Sequence, residues 1–205
     1  MLRQGTCLMK ELLSRVRNVL IRPGAEWRVI KDEPVTYQEI MLRYVCVLAA
    51  VPPVAAVISR AVFDAPIPGG SIITILKQLF VANLLWYCMS IMNVVITGAV
   101  ITAVTSHADS RWSGLRGLKI SAYSFTPLFA AGLLAVIPHM AWSVNVAILY
   151  GLYTLYLGIR ILSALPAWRA AWYAGVSFTA AAIIVGVLNF FEYMLESFVA
   201  EKVIF

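Results

Sequence analysis

Asn83, Tyr87, Ser90, Asn93 and Thr97 follow one another at intervals of four, three, three and four. That spacing sets two amides, two hydroxyls and a phenol on one face of a helix. Such groups either hydrogen-bond to a neighbouring helix or line a polar cavity or lateral groove, and in lipid the first use is the commoner. Ser124, with Ser121 and Thr126 in a later apolar stretch, poses the same choice. No reaction centre stands beside them: there is no HExxH, no GxSxG and no pair of intramembrane aspartates. The two histidines, His107 and His139, lie far apart, so no metal site is expected. Cys7, Cys46 and Cys88 show no CxxC spacing and read as small buried hydrophobes. No cofactor and no catalysis are expected. These absences weigh against a membrane protease or a proton-coupled pump and leave a passive pathway open.

The elements that must position these residues are apolar throughout. Of 205 residues, 61% are hydrophobic and 13% charged, and the mean hydropathy is +0.85. Soluble domains carry about 25% charged residues, so there is too little charge to coat a soluble surface. Five stretches are long enough to cross a bilayer: Ile40–Ser59, Leu79–Val104, Ile120–Ile137, Ala141–Ile159 and Ala170–Phe190. Runs of about 20 apolar residues span as helices because the hydrocarbon cannot satisfy an open backbone. The expected fold is all-α and polytopic, with a leader over 1–38, five transmembrane helices over 39–190 and a helical tail over 191–205. Pro52-Pro53 predicts a kink in the first span, and Asp64–Gly70 a turn-rich loop. Acids, histidines and arginines are missing from the middles of all five spans. No buried ionised group is therefore expected.

In the leader, Leu8, Leu12, Val16 and Val19 recur at spacings of three and four, with Lys10, Arg15, Arg17 and Arg22 largely on the other face. This predicts a basic amphipathic helix that lies in the headgroup layer or packs on the protein's own loops. Pro23-Gly24 ends it, and a second short amphipathic turn over Glu26–Glu33 stops at Pro34. No signal peptide is expected, since charges interrupt any apolar core of one. The leader and the second and fourth loops hold twelve basic residues; the alternate loops and the tail hold three. The positive-inside rule then predicts a cytoplasmic N-terminus and an external C-terminus. The net charge of +6 points to anionic inner-leaflet lipid rather than nucleic acid. Gly175, Thr179, Ala182 and Gly186 in the fifth span are spaced for close helix approach.

Three sets of residues carry a family likeness. They are Pro23, Trp27, Ile30 and Glu33 in the leader, Ala122 to Pro127 (AYSFTP) in the third span, and Leu149 to Gly158 (LYGLYTLYLG) in the fourth. With the five-span layout, the chain resembles the bacterial branch of the Ypt-interacting-protein (Yip) family. The resemblance implies a cytoplasmic N-terminus, five helices and no established enzymatic activity. Eukaryotic relatives are linked to small GTPases and vesicle traffic; this chain lacks their long cytoplasmic head, and no GTPase partner is expected. The resemblance makes Tyr123 and Pro127 a structural hinge, with Tyr150, Tyr153 and Gly158 as its packing partner. The expected role is a non-catalytic protein of the bacterial inner membrane, acting through a membrane-protein partner or a homo-oligomer. The alternative is a permease or passive pathway for a small solute or lipid.

Overall fold

The computed structural model describes residues 2–63, 72–106, 113–137, 140 and 142–204, and every regular element among them is helical. The loop expected over Asp64–Gly70 and both histidines lie outside the described residues. Helix α1 (Leu2–Ile21) and helix α2 (Pro23–Asp32) meet at Arg22, whose φ of −136° breaks the helix. Pro23 opens α2, where a missing N–H costs nothing. Glu33 turns extended ahead of Pro34, as a residue before proline must. The chain enters the next helix through a reciprocal cap. Thr36 donates to Glu39 Oε2 from its N–H and its hydroxyl, both at 2.9 Å, and Glu39 N donates back to Thr36 Oγ1 at 3.3 Å.

A π-helical turn (Glu39–Val45), α3 (Cys46–Ala49) and α4 (Val51–Phe63) follow. The helix is interrupted at Ala50, directly before Pro52 and Pro53, where proline cannot accept the preceding turn. Helix α5 (Ile72–Thr105) is unbroken over 34 residues, about 51 Å at 1.5 Å per residue. Helix α8 covers Trp142–Ser163 and helix α9 covers Ala167–Ile204, 38 residues or about 57 Å.

Four stretches among the described residues are long and apolar enough to cross a membrane: Glu39–Arg60, Phe80–Thr105, Trp142–Ser163 and Ala167–Phe191. The third of the five expected spans, Ile120–Ile137, is not one helix. Helix α6 (Gly114–Ser124) stops, α7 (Thr126–Gly132) begins, and a 3₁₀ turn (Leu133–Val136) finishes the segment. Pro127 is the cause: it has no N–H for the Tyr123 carbonyl, and its ring crowds that turn. Hydrogen bonding resumes on either side, Phe125 N to Ser121 O and Phe129 N to Phe125 O, each 3.0 Å.

One core joins the leader to the helices. Val19, Trp27 and Ile30 are buried with Val45, Val94, Ile120, Ile159 and Ala170. Along α1, Leu12, Val16 and Val19 turn to this core, while Met9, Leu13 and Ile21 are exposed. Helices α5 and α6 touch backbone to backbone. A Cβ at Gly98 would lie 3.1 Å from Leu118 Cα, and one at Gly117 would strike Thr102 and the Gly98 carbonyl. The small residues of α9 behave otherwise. Gly175, Thr179, Ala182 and Gly186 are all exposed, and a Cβ at Gly175 or Gly186 meets nothing within 4 Å. The close approach expected of that stripe is not made among the described residues.

Candidate functional site

The described charges gather where the leader docks on one end of the bundle. Arg15 of α1 donates to Glu26 Oε1 at 2.6 Å through Nη1, and to both carboxylate oxygens of Glu33, at 2.8 and 2.6 Å, through Nη2. The guanidinium also lies 5.9 Å from the centre of the Tyr123 ring, within cation–π range. Burial works against the Arg15 charge. Tyr123, Glu33 and Glu26 together outweigh it, and the pKa of Arg15 lies above the ordinary arginine value. Lys119 completes the dock from α6. Its ammonium donates to Ile30 O at 3.1 Å and to Glu33 O at 2.7 Å, neutralising the carbonyl end of α2.

Two expectations are corrected here. Lys119, counted among the basic residues of the second loop, is instead a buried helical residue, and Glu26 is buried too, each less than a tenth exposed. Ionised groups are therefore buried, although at the end of the bundle and not in the middle of a span. Glu26 and Ile30 share one face of α2 at an interval of four, and Glu33 follows three residues on, just past the helix end. That spacing is the signal that could have exposed the dock in the sequence.

Aromatic rings floor the dock. Trp27, fully buried, meets Tyr123 edge-on at 5.9 Å, and Tyr44 lies 4.7 Å from Tyr123. Tyr44 and Thr126 share a hydrogen bond of 2.7 Å, which ties the first membrane helix to the break before Pro127. Beside them a cleft of about 260 Å³ is lined by Glu11, Arg15, Glu33, Glu39, Arg43 and Tyr123, among others. Pro23 places α2, and Trp27 fits because Gly158 has no side chain: a Cβ there would sit 2.9 Å from the indole. Tyr150 donates from its hydroxyl to Leu20 O at 2.7 Å. Tyr153 is exposed, its ring 5.9 Å from that of Tyr150. Gly158 and Tyr150 thus hold the leader, and it is Gly151 that backs onto the break, its added Cβ 3.1 Å from Ser124 O.

The polar stripe of α5 does not face one space. Asn83 and Tyr87 line a mostly apolar groove shared with Pro53 and Val57 of α4, and Tyr87 donates to Cys46 O at 3.2 Å. Ser90, Asn93 and Thr97 are buried. Thr97 and Ser124 line a second cavity, of about 290 Å³, between α5, α7, α8 and α9. Among the described residues, Thr97 Oγ1 and Ser124 Oγ in this cavity, and Asn93 Oδ1 outside its lining, have no hydrogen-bond partner. Sequence periodicity could identify the stripe; it could not divide it.

An all-helical bundle with several membrane-length helices, and a leader docked by Trp27, Tyr123 and Gly158, defines a polytopic membrane protein. The Yip1 domain matches residues 17–188, and the chain belongs to that family. It is 29% identical over 184 residues to "Inner membrane protein YohC" of Escherichia coli (strain K12), an alignment covering 86% of this chain and 90% of that protein. The YohC protein of Escherichia coli O6:H1 (strain CFT073) aligns over the same shares at the same identity. No solved structure matches.

Proposed function

We propose that the protein is a non-catalytic component of the bacterial inner membrane that acts by assembling with a second copy of itself or with another membrane protein. The open stripe Gly175, Thr179, Ala182 and Gly186 on α9 carries this reading. In lipid there is no hydrophobic drive between helices, and association relies on such small residues for close backbone contact. Arg15, Glu26, Glu33 and Lys119 are engaged with one another and with backbone carbonyls, which favours a structural use over turnover. The inner-membrane setting comes from the name of the YohC relatives.

In this reading the N-terminus is cytoplasmic and the C-terminus outside. The leader, the start of α6 and the end of α8 lie at one end of the bundle, since Lys119 and Gly158 both touch α2. Those are the segments rich in basic residues. Lys10, Arg17, Arg22, Arg28, Lys31, Arg160 and Arg169 are exposed, suited to anionic headgroups at about 1 kcal/mol each. Exposed Trp168 and Trp172 flank Arg169, as aromatic residues do at a membrane interface. The chain leaves α5 at this end, and α8 returns to it after 22 residues. The broken segment between them therefore serves as a fifth crossing, discontinuous at Phe125. The alternative of a solute or lipid pathway draws less support, because the α5 stripe is divided between two cavities.

Crosslinking in native membranes tests assembly. Cys88 is exposed and Cys46 half-buried. A bifunctional thiol reagent should trap one discrete oligomer, and Gly175→Leu should remove it. Monomer alone at every reagent length overturns the reading.

A further inference from the structure

The cavity between α5, α7, α8 and α9 has a polar corner and an apolar body. Leu128, Ile148, Leu155, Phe178 and Val185 supply its walls, and among the described residues no charged side chain lines it. Thr97 and Ser124 stand in its lining, 6% and 7% exposed, with hydroxyl oxygens that have no hydrogen-bond partner among the described residues. Ser177, next to the lining residue Phe178, has a third buried unpaired hydroxyl. Buried hydroxyls without partners are rare in native proteins and call for an explanation. A volume of about 290 Å³ far exceeds one water, roughly 30 Å³ in the liquid, and apolar walls give a water cluster little to bind. Along α9 the cavity extends from Phe178 to Asn189, about 16 Å or half a bilayer core. Ala182 and Gly186 on its rim are exposed, so it opens sideways toward lipid.

We propose that this cavity binds a neutral lipophile bearing one terminal hydrogen-bonding oxygen, of the long-chain alcohol class, with that oxygen between Thr97 and Ser124 and its chain along α9. The absence of charge in the lining excludes an ionised headgroup at the deep end, where an unpaired charge would be costly. The two hydroxyls reward an oxygen over a bare hydrocarbon. The ligand arrives from the bilayer through the α8–α9 seam.

The test uses the full chain in phospholipid nanodiscs and a diazirine-bearing decanol as photoprobe. Label is expected on peptides of α7, α8 or α9 that line the cavity. At equal mole fraction in the bilayer, 1-decanol should displace the probe about fivefold better than decane for each hydroxyl engaged. The double variant Thr97→Val, Ser124→Ala should lose this preference. Its melting temperature should not fall, because it removes unpaired buried hydroxyls. Gly186→Leu, where an added Cβ meets no described atom within 4 Å, should narrow the space and cut labelling roughly tenfold with the fold intact. Equal displacement by decane overturns the proposal. So does labelling indifferent to both variants, or no label on this seam, in which case water alone serves the hydroxyls. Gly175 does not line the cavity, so loss of the oligomer in Gly175→Leu and loss of labelling are separate failures.

Discussion

Arg15 is the residue on which the leader's attachment turns. One guanidinium serves two carboxylates, one inside α2 and one just past its end, so removing either leaves it partly unpaired. Glu26 has a side chain only 10% exposed, against 33% for Glu33, and burial raises the cost of breaking a charge pair. Glu26→Gln should destabilise the purified protein by about 1–3 kcal/mol, and Glu33→Gln by less. Thermal unfolding in nanodiscs measures both. Arg15→Met combined with Glu26→Gln should cost less than the two changes summed, since each removes the same contact. Equal melting of all variants and the parent would deny the dock any energetic role. The carboxylates and the arginine were plain in the sequence, but their partnership was not. Arg15 belongs to α1 and Glu33 follows the end of α2, so they meet only because the chain turns back at Arg22.

At the scale of elements, helix ends were the most legible feature and helix contacts the least. Pro23-Gly24 and Pro34 punctuate α1 and α2 where expected, because proline acts on its own neighbours. Run length counts Ile120–Ile137 as a span, but hydropathy is blind to one missing N–H, and the break falls at Phe125, between the Tyr123 and Pro127 that the family likeness makes a hinge. Gly98 and Gly117 had no pattern to mark them, yet they bring α5 and α6 into backbone contact. The α9 stripe had the pattern and makes no such contact. Two glycines separate crowding from freedom. Gly158→Ala should push into the Trp27 ring and cost about 1–3 kcal/mol. Gly24→Ala, with nothing within 4 Å of the new methyl, should gain roughly 0.5–1 kcal/mol by stiffening α2. The same melts measure both, and limited proteolysis should find the leader loosened only in Gly158→Ala.

For the whole molecule, the proposed orientation makes a prediction independent of stability. A reporter enzyme active only outside the cytoplasm should be active when fused after Phe205 and silent when fused after Arg116. Four crossings, or an inverted bundle, would give matching or reversed signals. The leader adds to the picture: it is built into the core through Val19, Trp27 and Ile30, so the exposed basic residues are displayed from a fixed platform rather than a free arm.

Apolar run length, proline placement and charge distribution act locally along the chain. From them alone followed an all-α membrane protein and its approximate helices, and the short motifs around Trp27, Tyr123 and Tyr150 carried the family likeness. Which polar groups meet is a different matter, because contacts between residues such as Lys119 and Glu33, 86 positions apart, exist only once helices have chosen neighbours. Packing alone brought the leader's charges together, buried Lys119, divided the α5 stripe between two cavities and left the α9 stripe open. Helix propensity and hydropathy are properties of one segment in its solvent, whereas these outcomes depend on the shape of two or more segments at once.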